Sequence, residues 1–333
     1  MKRTNLLATA GLTLLLLAGC KGNSNEAAKD PVTATKDIAA AIRANDYDRL
    51  SHIIVPPDLY AKLEAKYKEE AAKRPAASAE EQKQFTDQMT KLTAADAEDK
   101  MFAEIQPKLA QIEPQAKMMV PMVAGMAGQG IQSSTTMSAA EKTQASALLT
   151  AVTKWATTAP FSNPDKAKEA IKAVVKAARD LKLNTLEEAR ALSLPQAAQK
   201  MGIAAGGLRN ALAVYGFDTD KALASFEATK VSETGDNAVV KVNYMLMDTP
   251  ITYDVNMVKR DGRWYSADAV KNIEQQLAKP AEAAVTAPVM TPPADDTSGM
   301  DSEPSTDDMS SDQMSSDQMS TEPATADDGT QGN

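Results

Sequence analysis

From Pro31 to about Tyr215 apolar side chains recur at intervals of three and four residues, whereas from Val239 to Met257 they recur at every second position. That change of period predicts a chain that is helical first and sheet-forming afterwards. The helical part carries its own start signals. Asp30-Pro31 opens a helix with Ile38 and Ile42 on one face, the proline standing where its missing N–H costs nothing. Asp58 is placed to cap a second helix bearing Leu59, Leu63 and Tyr67, which Pro75 stops. Ser78 with Glu81, and Ser138 with Glu141, read as capping boxes ahead of Phe85, Met89 and Leu92 and of Leu148, Leu149, Val152 and Trp155. Asn163-Pro164 starts a helix with Ile171, Val174, Val175, Ala178 and Leu181 at helical spacing. Further helices follow from Thr185 to Ala191 and from Pro195 to Tyr215, with Gly216 as a C-terminal stop.

In the period-two region Val240, Val242, Tyr244 and Leu246 alternate with Val239, Lys241, Asn243 and Met245. Ile251, Tyr253, Val255 and Met257 alternate with Thr252, Asp254 and Asn256. These are two antiparallel strands with one face buried. Asp261-Gly262 is a two-residue hairpin turn leading into Arg263-Trp264-Tyr265. Thr229 to Ser232 supplies one more strand, and Val270 to Leu277 a closing helix. The fold class is therefore α+β: a mostly helical body ending in an antiparallel β-meander of three to four strands, over about residues 228–267. Pro107, Pro114 and Pro121 recur every seven residues and predict a kinked or broken helix, the least regular part of the body.

Composition changes this picture in two ways. The 333 residues are 43% hydrophobic but only 4% aromatic, so the core must be built on Ala, Leu, Val and Met. One His and one Cys in the whole chain exclude a disulfide framework, a thiolate or imidazole metal cluster and most nucleophile–His arrangements. The formal charge of −9 belongs to one end. Residues 281–333 hold twelve Asp or Glu and no Lys, Arg or aromatic residue, a composition that predicts disorder. Without that tail, and without Lys2 and Arg3, the 34 basic and 33 acidic groups that remain nearly cancel.

At the other end, Lys2 and Arg3 precede a 13-residue apolar run, Leu6 to Ala18, too short for a permanent membrane span. The run closes on Leu17-Ala18-Gly19-Cys20, which contains the chain's single Cys and resembles the lipobox of bacterial lipoproteins. The resemblance implies removal of residues 1–19 and acylation of Cys20, with two or three chains making the anchor effectively permanent. Lys21 in the following sorting position implies an outer-membrane anchor facing the periplasm, or a plasma-membrane anchor in a Gram-positive host. Residues 20–30 then read as a lipidated polar tether with a reach of roughly 17 Å, residues 31–280 as the body and 281–333 as an acidic low-complexity tail.

Two stretches carry a second resemblance. Gly235-Asp236-Asn237-Ala238-Val239-Val240-Lys241-Val242 and Val255 to Tyr265 (VNMVKRDGRWY) resemble the last strands of bacterial domains similar to nuclear transport factor two. Asn45-Asp46-Tyr47-Asp48-Arg49-Leu50 looks like that family's opening. The resemblance implies a curved antiparallel sheet wrapped over helices to form a cone, with the helices from about Asp58 to Gly202 as an insertion or a separate domain.

Candidate chemistry is sparse. Met118 to Gly128 is uncharged and apolar, and Met118, Met119, Met122 and Met126 form a deformable surface suited to a partner or to lipid, or else a buried helix. Ala197 to Leu212 is similar to a helix-turn-helix, but its second half, Ala204 to Asn210, offers little to phosphates or base edges, so no nucleic-acid partner is expected. Met309, Met314 and Met319 lie in a duplicated Ser-Ser-Asp-Gln-Met unit whose thioethers could take Cu(I), though a solvated spacer accounts for them. His52 beside Ile53, Ile54 and Val55 reads as a packed imidazole. Tyr244, Tyr253, Asp254 and Trp264 are candidates to line a cone-shaped pocket, with Trp264 equally a core residue.

The expectation is a non-catalytic lipoprotein, anchored in the outer membrane, that binds an envelope protein as an inhibitor, immunity, assembly or accessory factor, without metal or cofactor. The alternative is a small-ligand carrier or enzyme using the pocket of the C-terminal half. The sequence leaves the oligomeric state open.

Overall fold

A computed structural model describes residues 25–135 and 137–279, so the signal segment, Cys20, Lys21 and the acidic tail lie outside the described residues. The capping signals act where the sequence puts them. In α1 (Pro31–Arg43) the Asp30 carboxylate accepts from the backbone N–H and the hydroxyl of Thr33, both at 2.8 Å. A left-handed Asn45 breaks the chain before α2 (Tyr47–Ile54), which Asp46 caps. Helix α3 (Pro57–Lys73) starts two residues earlier than a cap at Asp58 would place it: Pro57 presets the first φ, and Asp58 stands in the first turn, near the positive end of the helix dipole. Both serine boxes form, Ser78–Glu81 at α4 (Ala79–Thr93) and Ser138–Glu141 at α7 (Ala139–Thr158).

Between those two lie α5 (Ala97–Ile105), a 3-10 turn (Gln106–Lys108) and α6 (Leu109–Ser133). Here the expected break is absent, because α6 is a continuous 25-residue helix containing both Pro114 and Pro121. The prolines occupy exposed positions two turns apart, and Ala110 and Lys117, whose carbonyls lose their helical donors, are exposed as well. Water can serve those carbonyls, so neither proline strands a buried polar group. Pro107 sits in the 3-10 turn, where an N–H is dispensable.

The helical series continues through α8 (Pro164–Leu181), capped by Asn163, and two further capping boxes, Thr185–Glu188 and Ser193–Gln196. These open α9 (Leu186–Arg190) and α10 (Leu194–Val214). Short α11 (Thr219–Ala224) leads into the sheet. Strands β1 (Glu227–Thr234), β2 (Asn237–Leu246), β3 (Thr249–Arg260) and β4 (Arg263–Ser266) form an antiparallel meander in that order, and α12 (Ala267–Ala278) closes the fold. The pairs Val240–Val255, Val242–Tyr253 and Tyr244–Ile251 confirm the predicted inward set, and Asp261-Gly262 turns with both φ angles positive.

The helices and sheet belong to one compact unit, with no separate helical domain among the described residues. Trp264 is buried with Ala34, Ala228, Ala238, Val240 and Met257 beneath α1. Helix α8 sits between α5 and α10, and α10 crosses α2. Three glycines permit that crossing. A Cβ on Gly202 would stand 2.1 Å from the Asn45 carbonyl oxygen, one on Gly206 would stand 2.8 Å from the Asn45 amide nitrogen, and one on Gly207 would stand 2.2 Å from the Ala177 Cβ. The stretch resembling a helix-turn-helix is thus a single straight packing helix with no turn in it.

The body also begins earlier than expected. Ala27 is fully buried, its carbonyl accepts from Arg263 Nη1 at 2.7 Å, and the Ala28 carbonyl accepts from the Trp264 N–H at 3.0 Å. Arg263 also pairs with Glu26. The tether predicted over residues 20–30 therefore gives way to folded chain by residue 26, because backbone pairing with β4 recruits a stretch whose side chains looked merely polar.

These contacts give opposite signs for glycine substitutions. Gly207→Ala is expected to destabilise the protein by about 1–3 kcal/mol through overpacking. Gly125→Ala, where a Cβ meets nothing within 4 Å in mid-helix, is expected to stabilise it by roughly 0.5–1 kcal/mol. Chemical denaturation of the two variants checks the pair.

Candidate functional site: an apolar cavity under helix α7

The sheet face turned towards α1 and α7 is only partly filled. Towards one end Ala151 of α7 packs on Ala222, Leu246 and Ile251, with Leu148, Phe217, Tyr244 and Tyr253 around them. Beside that contact, and sharing Phe217, Tyr244, Leu246 and Tyr253 with it, the sheet, α1, α11 and the first turns of α7 and α12 border a partly open cavity of about 750 Å³. Its floor is a helical stripe on α1, Thr35, Ile38, Ala39 and Ile42, at the i, i+3, i+4, i+7 spacing that puts four residues on one face. Phe217, Leu223 and Phe226 form one wall, Leu246 and Val255 the sheet side, and Glu141 and Gln144 of α7 lie across the opening.

Of the sequence-predicted pocket residues, Tyr244 and Tyr253 line this space, their rings edge to face with centroids 6.4 Å apart. Burial pushes both phenols above their ordinary pKa. Asp254 borders the cavity from a strand position on the solvent face, opposite Lys241. Trp264 does not line it: opposite Lys259, two positions beyond Met257 on the same face of β3, it is buried in the layer between α1 and the sheet. His52 lies elsewhere, stacked on Tyr60 at 4.1 Å with its Nε2 3.9 Å from Asp48.

The charged group at the cavity that sequence reading missed is Arg209. Its Nε donates to the Thr219 hydroxyl at 3.0 Å; Nη1 donates to the Ile42 carbonyl at 2.7 Å and the Asn45 side-chain oxygen at 2.8 Å; Nη2 pairs with Asp220. A fork so committed caps the C-terminus of α1 and has nothing left for a ligand's anionic head. Glu141 is likewise held in its capping box, which lowers its pKa. The cavity can therefore recognise apolar bulk and shape, with hydroxyls and an amide at its margin and the exposed carboxylates of Asp254 and Asp268 on its border. No local pattern announces this arrangement, since the partners of Arg209 include residues 164 and 167 positions away.

The methionine face stands outside the cavity. Helix α6 packs on α7, and Met118, Met119, Met122 and Met126 are all exposed. Among the described residues no helix is long and apolar enough to cross a membrane, and no cluster of three His, Cys, Asp or Glu side chains could hold a metal ion. No family model matches the chain, and neither the curated proteins nor the solved structures give a match.

The buried phenols set an alkaline limit. Five tyrosines, Tyr60, Tyr215, Tyr244, Tyr253 and Tyr265, have pKa values raised chiefly by burial. A group whose folded pKa exceeds its unfolded value favours the native state at full strength below the unfolded value, about 10, and that contribution is lost as the pH rises through the folded value. Stability should fall above about pH 10, and Tyr244→Phe with Tyr253→Phe should flatten the fall, as read from melting temperature against pH.

Proposed function

We propose that this protein is a non-catalytic, lipid-anchored envelope protein that holds an apolar small molecule in the cavity under α7. The observation that carries the reading is the cavity itself. About 750 Å³ lies within the range of small-molecule sites, roughly 300–1,000 Å³, and its lining is chiefly Ile, Leu, Phe, Val, Tyr and Ala, with Thr35, Gln144, Thr219 and Ser266 among its polar positions. A space so lined and left unfilled forgoes dispersion and burial that side chains could have supplied, which makes a ligand of matching shape its natural occupant. The non-catalytic part of the reading is supported by the way two of its ionisable groups are spent, since Arg209 and Glu141 both serve helix ends, while Asp254 and Asp268 stand exposed at its border. The anchor rests on the lipobox, and the antiparallel meander closed by a helix is of the kind that the resemblance to nuclear transport factor two-like domains implies.

A protein partner, which the sequence favours, is the second reading, and the exposed face of α6 is the observation on its side. Crosslinking from that face in intact cells would trap such a partner.

Native mass spectrometry and displacement of an environment-sensitive apolar dye test the cavity. The unmodified chain is expected to take up one dye per molecule. Ala39→Phe, which projects a ring from the cavity floor, should weaken uptake at least tenfold, about 1.4 kcal/mol, while leaving the fold intact; equal uptake by both forms would end the proposal. Cys20→Ala is expected to release the protein from the membrane fraction without changing dye uptake, so the anchor and the cavity fail separately.

A further inference from the structure

From Met118 to Ala140 the chain contains no charged residue, a run of 23 bounded by Lys117 and Glu141. In the fold this run is the distal half of α6 and its connection to α7. Val120, Ala124, Gly128 and Ile131, spaced by four, four and three, are the half-buried positions of that half, and Gly128 faces Leu149 of α7. Everything else on it points outward. Met118 is 71% exposed, Met122 59% and Met126 60%, with Met119 and Val123 about half exposed beside them.

We infer that this face seats on a lipid bilayer, with Met118, Met122 and Met126 reaching into the interfacial region. The chemistry selects lipid over a protein. Between Met118 and Gly128 no side chain offers more than a weak thioether acceptor, whereas protein interfaces carry about one hydrogen bond per 100–200 Å² and a polar rim. Unbranched thioether side chains conform to a fluid surface with no fixed pockets. Helices that lie on membranes normally need a polar face for water; here α7 covers the opposite side. The same face is too short and too weakly apolar to cross the membrane, so it lies on the surface.

Folded chain begins by Glu26, so on the lipobox reading only a short segment joins Cys20 to the body, with a reach of at most about 17 Å, and the body stays near the bilayer. The apolar face rides on α7, the helix across the cavity opening. Lipid contact there would bring the entrance of an apolar site to an apolar reservoir. That last link rests on the cavity reading; the docking itself does not.

The test uses the mature chain with Cys20→Ser, so that no acyl chain contributes, and neutral phosphatidylcholine vesicles in a flotation assay. The protein should float with the vesicles at low and high salt alike, because the face carries no charge. Met118→Gln, Met122→Gln and Met126→Gln together, at exposed positions where the fold is expected to survive, should cut partitioning at least about tenfold with an unchanged melting temperature and unchanged dye uptake. A Met122→Trp reporter should shift its emission to the blue on vesicle addition. Absence of flotation, equal flotation by the triple variant, a solution dimer abolished by the glutamines, or one protein captured stoichiometrically by crosslinking from residue 122 in cells would each overturn the inference. Loss of dye uptake in Ala39→Phe with flotation retained would show that cavity and docking face stand independently.

Discussion

One guanidinium fixes the frame of the cavity. Arg209 projects from α10 and ties the end of α1, the left-handed Asn45 and the start of α11 into a single knot. Its side chain is 15% exposed, so these charge-assisted bonds form largely out of water, where they are strong and where losing one partner is costly. The α1 stripe that floors the cavity and the α11 residues that wall it hold their separation because both are fastened to this group. Related devices recur at other helix ends. Lys166 donates to the last carbonyl of α10, Lys200 to the last carbonyl of α8, and Lys66 to carbonyls at the end of α12, each placing positive charge at the negative end of a dipole.

The rest of the packing follows from a shortage of large side chains. With few aromatics the layers close by approach instead of by filling, and the buried set is accordingly rich in alanine: Ala27, Ala34, Ala41, Ala97, Ala151, Ala159 and Ala167 are all nearly inaccessible. The glycines of α10 carry the same principle to its limit at Asn45 and Ala177. The aromatics that do exist are concentrated. Trp155, Phe161, Tyr215 and Phe217 form one cluster joining α7 to the end of α10, with the indole N–H on the Tyr215 carbonyl. That cluster fixes the far end of α7 and leaves its first turns as the less embedded side of the cavity.

Elements whose cause is local were legible in the sequence: Ser78–Glu81, Ser138–Glu141 and Asn163-Pro164 each place a helix start, and the alternation through β2 and β3 places their inward faces. Features whose cause is distant were hidden. Pro114 and Pro121 forbid a helix only if their freed carbonyls are buried, and exposure is a tertiary property. Trp264 and Tyr253 look alike in a strand pattern, yet Trp264 lies opposite Lys259, six positions along β3 from Tyr253, and that distance separates a core residue from a cavity wall. The cavity was half legible, since Tyr244 and Tyr253 were identifiable while the α1 stripe passed for ordinary core. Arg209 gave no signal, because every partner that defines its role lies on another element.

The pairing of Glu26, Ala27 and Ala28 with Arg263 and Trp264 joins positions 236 and 237 residues apart, and this sets the order in which the fold can be completed. In a chain made from its N-terminus, the first folded residues must wait for nearly the whole body to follow before they find their partners. Closing a flexible loop of that length costs about 5 kcal/mol in chain entropy, which the helices formed in the interval reduce by shortening the effective loop. Until β4 emerges, Ala27 and the underside of α1 stay uncovered. The last step of folding is then a zippering of the two ends of the body, and it covers the edge of the sheet at β4.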